Sequence, residues 1–158
     1  MSELTHFDKD GRAHMVNVGE KSATKRIAIA RGFVSMSAET IATITSKSLS
    51  KGDVMQVAEL AGIMGAKQTA QLIPLCHPLG LDHVSVKLAL DNEKGGIEII
   101  AECHITGKTG VEMEALTAVS ITALTIYDMC KAVDKAMVIS EVKLVYKAGG
   151  KSGTYDVR

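Results

Sequence analysis

Residues 84–105 read VSVKLALDNEKGGIEIIAECHI, and their alternation decides the fold class. Val84, Val86, Leu88 and Leu90 are separated by Ser85, Lys87 and Ala89, and Ile97, Ile99, Ala101, Cys103 and Ile105 keep the same period of two. That period puts the apolar set on one face of a β-strand. The segment Asp91–Gly96 between the runs is rich in turn formers, so the pair reads as an antiparallel hairpin.

Outward from the hairpin, the period changes to helical. Thr109 can cap a helix while Glu112 reaches back, and the helix is expected to run to about Lys135. A last strand, Val138–Lys147, would carry Val142, Leu144 and Tyr146 on one face. Upstream, Asp53 with Gln56 three residues later forms a capping-box pattern ahead of Val54, Val57, Ala58 and Ala61 at helical spacing. A short strand over Gly32–Met36 and a helical stretch over about Ser37–Thr45 precede it. Residues 1–30 read as a partly ordered arm, and residues 148–158, with the glycines of Gly149–Gly153, as a flexible tail. The order strand, helix, strand, strand, helix, strand predicts an α+β, ferredoxin-like fold in which helices cover one face of an antiparallel sheet. A single domain spanning residues 1–158 suits the length.

Composition excludes several function classes. The 46% hydrophobic content is enough to build a core, so the chain is not a disordered one. Lys plus Arg (18) equals Asp plus Glu (18), which argues against a field built for a nucleic-acid backbone or an anionic membrane. Gln68–Leu81 and Ala115–Tyr127 are the longest stretches without a charged residue, and both fall short of the roughly 20 apolar residues a bilayer span needs. The acidic start has no apolar core of a secretion signal, which points to the cytoplasm. Cys76, Cys103 and Cys130 are an odd number without close spacing and read as reduced thiols.

On the long helix, Leu116, Val119, Ala123, Ile126, Tyr127 and Cys130 form the expected core face, yet Ala118, Ile121, Met129 and Ala132 leave much of the remainder apolar. Such a helix is covered on more than one side, and a second subunit is a plausible cover. A polar strip of Thr117, Asp128, Lys131 and Lys135 interrupts it, with Asp128 and Lys131 spaced as neighbours. One reading is an exposed ion pair. The other is an acid–base couple, which requires partial burial to bring the two pKa values towards working pH.

Both prolines fall in Pro74-Leu75-Cys76-His77-Pro78, so His77 is presented from a stiffened, extended loop suited to acid–base work or phosphate binding, or is incidental to a rigid turn. Cys–His catalysis is discounted, because neighbours in an extended chain point to opposite faces. Gly107-Lys108-Thr109 and Gly150-Lys151-Ser152 resemble the end of a phosphate loop but lack its earlier glycine, since Glu102 and Val145 stand there. Glu112 and Glu114 in the first turn of the long helix serve the helix dipole, or bind a hydrogen-bond donor such as a guanine-like edge. Basic residues recur far apart in sequence, at Lys21, Lys25, Arg26, Lys51, Lys131, Lys135, Lys147 and Lys151, and a few of them converging would make a polyphosphate site.

Taken together, Leu4-Thr5-His6, His14-Met15-Val16, Lys51-Gly52-Asp53-Val54, Leu72–Pro78, Thr106–Ala118, Tyr127–Val133 and Gly149–Gly153 closely resemble the cyclic pyranopterin monophosphate synthase family of molybdenum cofactor (molybdopterin) biosynthesis, over essentially the whole chain. The resemblance implies a phosphorus–oxygen lyase. Its substrate would be the 3′,8-cyclised dihydro-GTP made by an upstream radical-SAM GTP cyclase, and its products cyclic pyranopterin monophosphate and diphosphate. It also implies a homohexamer, a trimer of dimers with the site between subunits.

By the same resemblance, Leu75, Cys76, His77, Met113 and Glu114 contact substrate. Asp128 matches the family's catalytic acid/base, Lys51 and Lys131 match active-site lysines, and Glu112, Lys21, Arg26 and Lys147 match positions lining the site or the triphosphate pocket. Asp128, Lys131, Lys51 and His77 would share the proton transfers of ring opening and pterin closure. No ligand cluster in the sequence calls for a resident metal, although Mg²⁺ can travel with the triphosphate. Two positions depart from the family pattern: Asn17 stands where Asp is usual, and Gln68 where a basic residue is common. The competing class is a non-catalytic module that carries or regulates a nucleotide or pterin, which would bind without releasing diphosphate.

Overall fold

The computed structural model describes residues 5–46 and 53–158. Its elements, in chain order, are β1 (Thr24–Ser35), α1 (Ala38–Thr45), α2 (Val54–Lys67), α3 (Thr69–Leu72), β2 (His83–Asp91), β3 (Gly96–Gly107), α4 (Glu112–Cys130), β4 (Val138–Ala148) and β5 (Tyr155–Asp156). Among the described residues the strands form one sheet in the order β2-β3-β1-β4-β5, with every neighbouring pair antiparallel. The first four strands follow the ferredoxin-like order, as the α+β reading predicts.

The hairpin closes with Asp91 opposite Gly96, and Val84, Val86, Leu88 and Leu90 pair with Cys103, Ala101, Ile99 and Ile97. Ile97, Ile99, Ala101 and Cys103 are fully buried beneath the helices, together with Ala28, Ala30 and Val34 of β1 and Ala115, Ala118, Val119, Ala123 and Ile126 of α4. Burial of side chains such as Ile97 and Ile126 contributes about 1.5–3 kcal/mol each. The small residues Ala28, Ala30 and Ala101 let the helix layer lie close on the sheet centre. No described helix is long and apolar enough to cross a membrane.

The edges of several elements differ from the sequence reading. β1 starts at Thr24, so Thr24–Ala30 belong to a central strand rather than to the expected arm; this strand pairs with both β3 and β4, and tertiary pairing overrides its weak local signal. On β4, register shifts opposite Ile29/Ala30 and Arg31/Phe33 break the regular alternation. Val145 is therefore buried while Val142 is exposed, contrary to the single face expected for Val142, Leu144 and Tyr146. Within the expected flexible tail, β5 pairs Tyr155 and Asp156 with Lys147 and Tyr146. Arg158 anchors it by stacking 4.2 Å over the Tyr146 ring and donating to both oxygens of Asp156.

α4 ends at Cys130, short of Lys135. The chain leaves the helix because Asp134 is drawn to the start of α1. Its carboxylate accepts from Ser37 N at 2.8 Å, Thr40 Oγ1 at 3.2 Å and Ala136 N at 2.9 Å. α1 and α2 begin as expected, with Ser37 Oγ capping Thr40 N and the Asp53 carboxylate capping Met55 N and Gln56 N.

Candidate active site

The antiparallel register gives the sheet two functionally distinct ends. At one end Thr24 pairs with Gly107 and Ile27 with Ala148, and at the other Ser35 pairs with Gly96 and Val138. α4 leaves β3 at the Gly107 end and returns the chain to β4 at the Val138 end. Glu112 and Glu114 thus lie at the first end, Asp128 and Lys131 at the second.

At the first end the proline-held loop, the entry to α4 and the chain before β1 enclose a cleft of about 280 Å³. Lys21, Leu75, Cys76, His77, Glu112, Met113 and Glu114 all line it, so seven of the residues singled out by the sequence converge. Cys76 N donates to Ile73 O at 3.2 Å, a turn through Pro74 and Leu75 that bends the loop. Cys76 and His77 consequently share one cleft, whereas an extended chain would have sent them apart.

The entry to α4 departs from a capping box. Val111 is the N-cap residue and makes no side-chain cap; Thr109 does not fill that role. The Glu112 carboxylate folds back over Gly110, where a Cβ would stand 1.9 Å from Oε2, and accepts from Lys147 Nζ at 2.8 Å. Glycine at 110 is what leaves room for that carboxylate.

Glu114 is only 4% exposed, and burial, with the Glu112 charge adding to it, pushes its pKa up to about 7. Near neutral pH it can therefore donate as well as accept a proton. Burial and the nearby Glu114 also raise the Cys76 thiol, which disfavours the thiolate there.

Beside this cleft a second concavity of about 980 Å³ is lined by Lys21, Arg26 and Lys151 among others. Arg26 Nε donates to Gly107 O at 3.1 Å, and a Cβ at Gly150 would lie 2.2 Å from a guanidinium nitrogen. Gly149 and Gly150, both at positive φ, thus wrap Arg26 in a way a side chain would block. Lys147 Nζ also reaches Ser152 Oγ at 3.0 Å. Lys21, Arg26, Lys147 and Lys151 gather cationic charge around one end of the sheet, although they are spread along the sequence.

Asp128 and Lys131 form the predicted i,i+3 pair at 2.6 Å, but their side chains keep 63% and 53% of their exposure. Within one chain this is the solvated ion pair, and the hydrogen bond to Asp128 raises Lys131. Of the polar strip, Thr117 is buried and Lys135 exposed. Lys51 lies outside the described residues. The N-terminal segment is the part of the cleft the sequence reading missed: Thr5, His6, Val16 and Val18 form one of its walls. Beyond the family resemblance carried by Leu4-Thr5-His6 and His14-Met15-Val16, their aperiodic sequence carried no signal of burial.

The family model described as the MoaC family matches residues 15–150. Proteins named cyclic pyranopterin monophosphate synthase are similar over nearly the full length. The one from Dinoroseobacter shibae is 58% identical over 156 residues, covering 99% of both chains. Those from Desulfitobacterium hafniense and Pelotomaculum thermopropionicum are 58% and 57% identical, covering 97% and 99% of this chain and 93% and 92% of theirs. With that span and identity joined to a ferredoxin-like fold, the chain belongs to the MoaC family.

Proposed function

We propose that this chain is an enzyme of molybdenum cofactor biosynthesis, a lyase that converts 3′,8-cyclised dihydro-GTP into cyclic pyranopterin monophosphate and diphosphate. The observation that carries the reading is the convergence of Lys21, His77, Glu112 and Glu114 on one cleft, beside a concavity lined by Arg26 and Lys151, with Lys147 bonded to Glu112 and Ser152 between them. The names of its relatives support the same activity.

In this reading the guanine-derived ring lies against Leu75, Cys76, His77 and Met113, and the triphosphate lies along Lys21, Arg26 and Lys147. Closing the cyclic phosphate requires the α-phosphate to be held near a sugar oxygen while charge builds on the departing diphosphate, and fixed cations stabilise that charge. Mg²⁺ enters only as a companion of the triphosphate, and no resident metal is part of the proposal. Asp128, Lys131 and Lys51 complete the proton transfers from a neighbouring subunit. Glu114 and Asp128 stand about 21 Å apart along one helix, so one chain cannot offer both to one small molecule. A second copy can, and the homohexamer is the assembly we assign. The enzyme would work in the cytoplasm, downstream of a radical-SAM GTP cyclase.

The test is diphosphate release from enzymatically prepared cyclised dihydro-GTP, with Asp128→Ala alongside. Multiple turnovers, lost in the variant, support the lyase. Stoichiometric binding without release would make the protein a carrier or regulatory module instead.

A further inference from the structure

His6 belongs to none of the groups assigned above, yet it lines the same cleft as Cys76, His77 and Glu114. It is held there by a small N-terminal hairpin. Phe7 pairs with Ala13, His14 N donates to His6 O at 2.9 Å, and the Asp8 carboxylate closes the turn by accepting from Asp10 N and Arg12 N at 2.9 and 2.8 Å. The ring itself is oriented by a bond between His6 Nδ1 and the His14 carbonyl oxygen at 3.3 Å. A carbonyl only accepts, so this contact is a hydrogen bond in the tautomer that carries its proton on Nδ1. In the neutral imidazole the lone pair is then on Nε2.

We infer that His6 is a substrate-binding residue whose Nε2 accepts a hydrogen bond from a ring N–H of the guanine-derived moiety, with the N-terminal hairpin as the wall that aims it. The inference rests on the lyase reading and deepens it. A guanine-derived ring presents N–H donors, and a site that recognises them needs acceptors in fixed positions. Among the polar groups around the cleft, Lys21 only donates, the Glu112 carboxylate is engaged by Lys147, and Glu114 holds a proton through part of the neutral range. His6 supplies an acceptor whose direction is set by its other nitrogen.

The experiment compares the kinetics of the full-length wild type with His6→Asn, His6→Gln and His6→Ala, using cyclised dihydro-GTP and reading diphosphate. Asn can keep the donor to the His14 carbonyl but has nothing at the Nε2 position, and Gln places an amide oxygen near Nε2 without the hairpin bond. The expected result is a KM raised about tenfold in His6→Asn and His6→Ala, with kcat changed by less than about threefold and KM largely restored in His6→Gln. A wild-type KM in His6→Asn would show that only the hairpin bond matters and would overturn the inference alone. If His6→Ala does not fold, the contrast between Asn and Gln still decides. A wild type that releases no diphosphate overturns the lyase reading, and this inference with it.

Discussion

Glu114 and Asp128 occupy opposite ends of α4, the first buried at the cleft and the second exposed on the last turn of the helix. If one site needs both, it is built from two chains, and two defective variants can repair each other. Mixing Asp128→Ala with His77→Ala under conditions of subunit exchange should restore roughly a quarter of wild-type turnover, because random pairing recreates some sites with both halves intact. Absence of any recovery in exchanged oligomers would place both groups in one chain's site and contradict the geometry.

The Asp128–Lys131 pair is solvated within the chain, so it should matter for turnover far more than for folding. Lys131→Ala should leave the chemical-denaturation midpoint close to that of wild type. Loss of a proton-transfer group should lower kcat by about 10²–10⁴-fold. A variant with near-normal kcat would return the pair to the role of a surface ion pair.

Glu114 makes stability depend on pH in an unusual direction. Its pKa is raised from 4.5 to about 7 in the folded state, so between those values the native protein holds a proton the unfolded chain has lost. This group's contribution to stability falls as pH rises through that window and stays reduced above it. Glu114→Gln carries no such penalty. Its Tm relative to wild type should rise between pH 5 and pH 8, and a difference independent of pH would refute the assignment.

Asp134 acts in the opposite sense. The backbone hydrogen bond from Ser37, joined by those from Ala136 and Thr40, holds its carboxyl below the usual range. The stabilisation it contributes is present above the unfolded pKa near 3.8 and is lost as pH falls through the lower folded value. Asp134→Asn should therefore destabilise the protein at pH 7, with the gap to wild type closing in acid; a gap that widens in acid would contradict it.

Gly62 marks the closest approach of the two long helices. A Cβ there would lie 2.1 Å from Thr122 Oγ1 and 3.0 Å from the Ala118 carbonyl oxygen. Thr122 is fully buried, with its hydroxyl bound to that same carbonyl at 2.8 Å, so it has nowhere to swing. Gly62→Ala should cost about 1–3 kcal/mol in urea denaturation despite the gain in helix propensity. Unchanged stability would mean that the helices separate without penalty.

Periodicity and turn chemistry were enough to read the hairpin of β2 and β3, the approximate start of α1, the capped start of α2, the existence of α4 and β4, and the ferredoxin-like order. These features are local: a period of two, a carboxylate three residues before the N–H it caps, a turn between alternating runs. The proline-held loop and the acidic start of α4 were legible for the same reason. Other features depend on partners distant in the chain. The full length of β1 follows from pairing on both sides, the end of α4 from Asp134 reaching Ser37, and the ordered glycine turn from Arg26 beneath Gly150. Tertiary structure alone brought Lys21 and His77 to one cleft and added His6 to its wall, because convergence is set by strand register and helix direction, which no short stretch of sequence encodes.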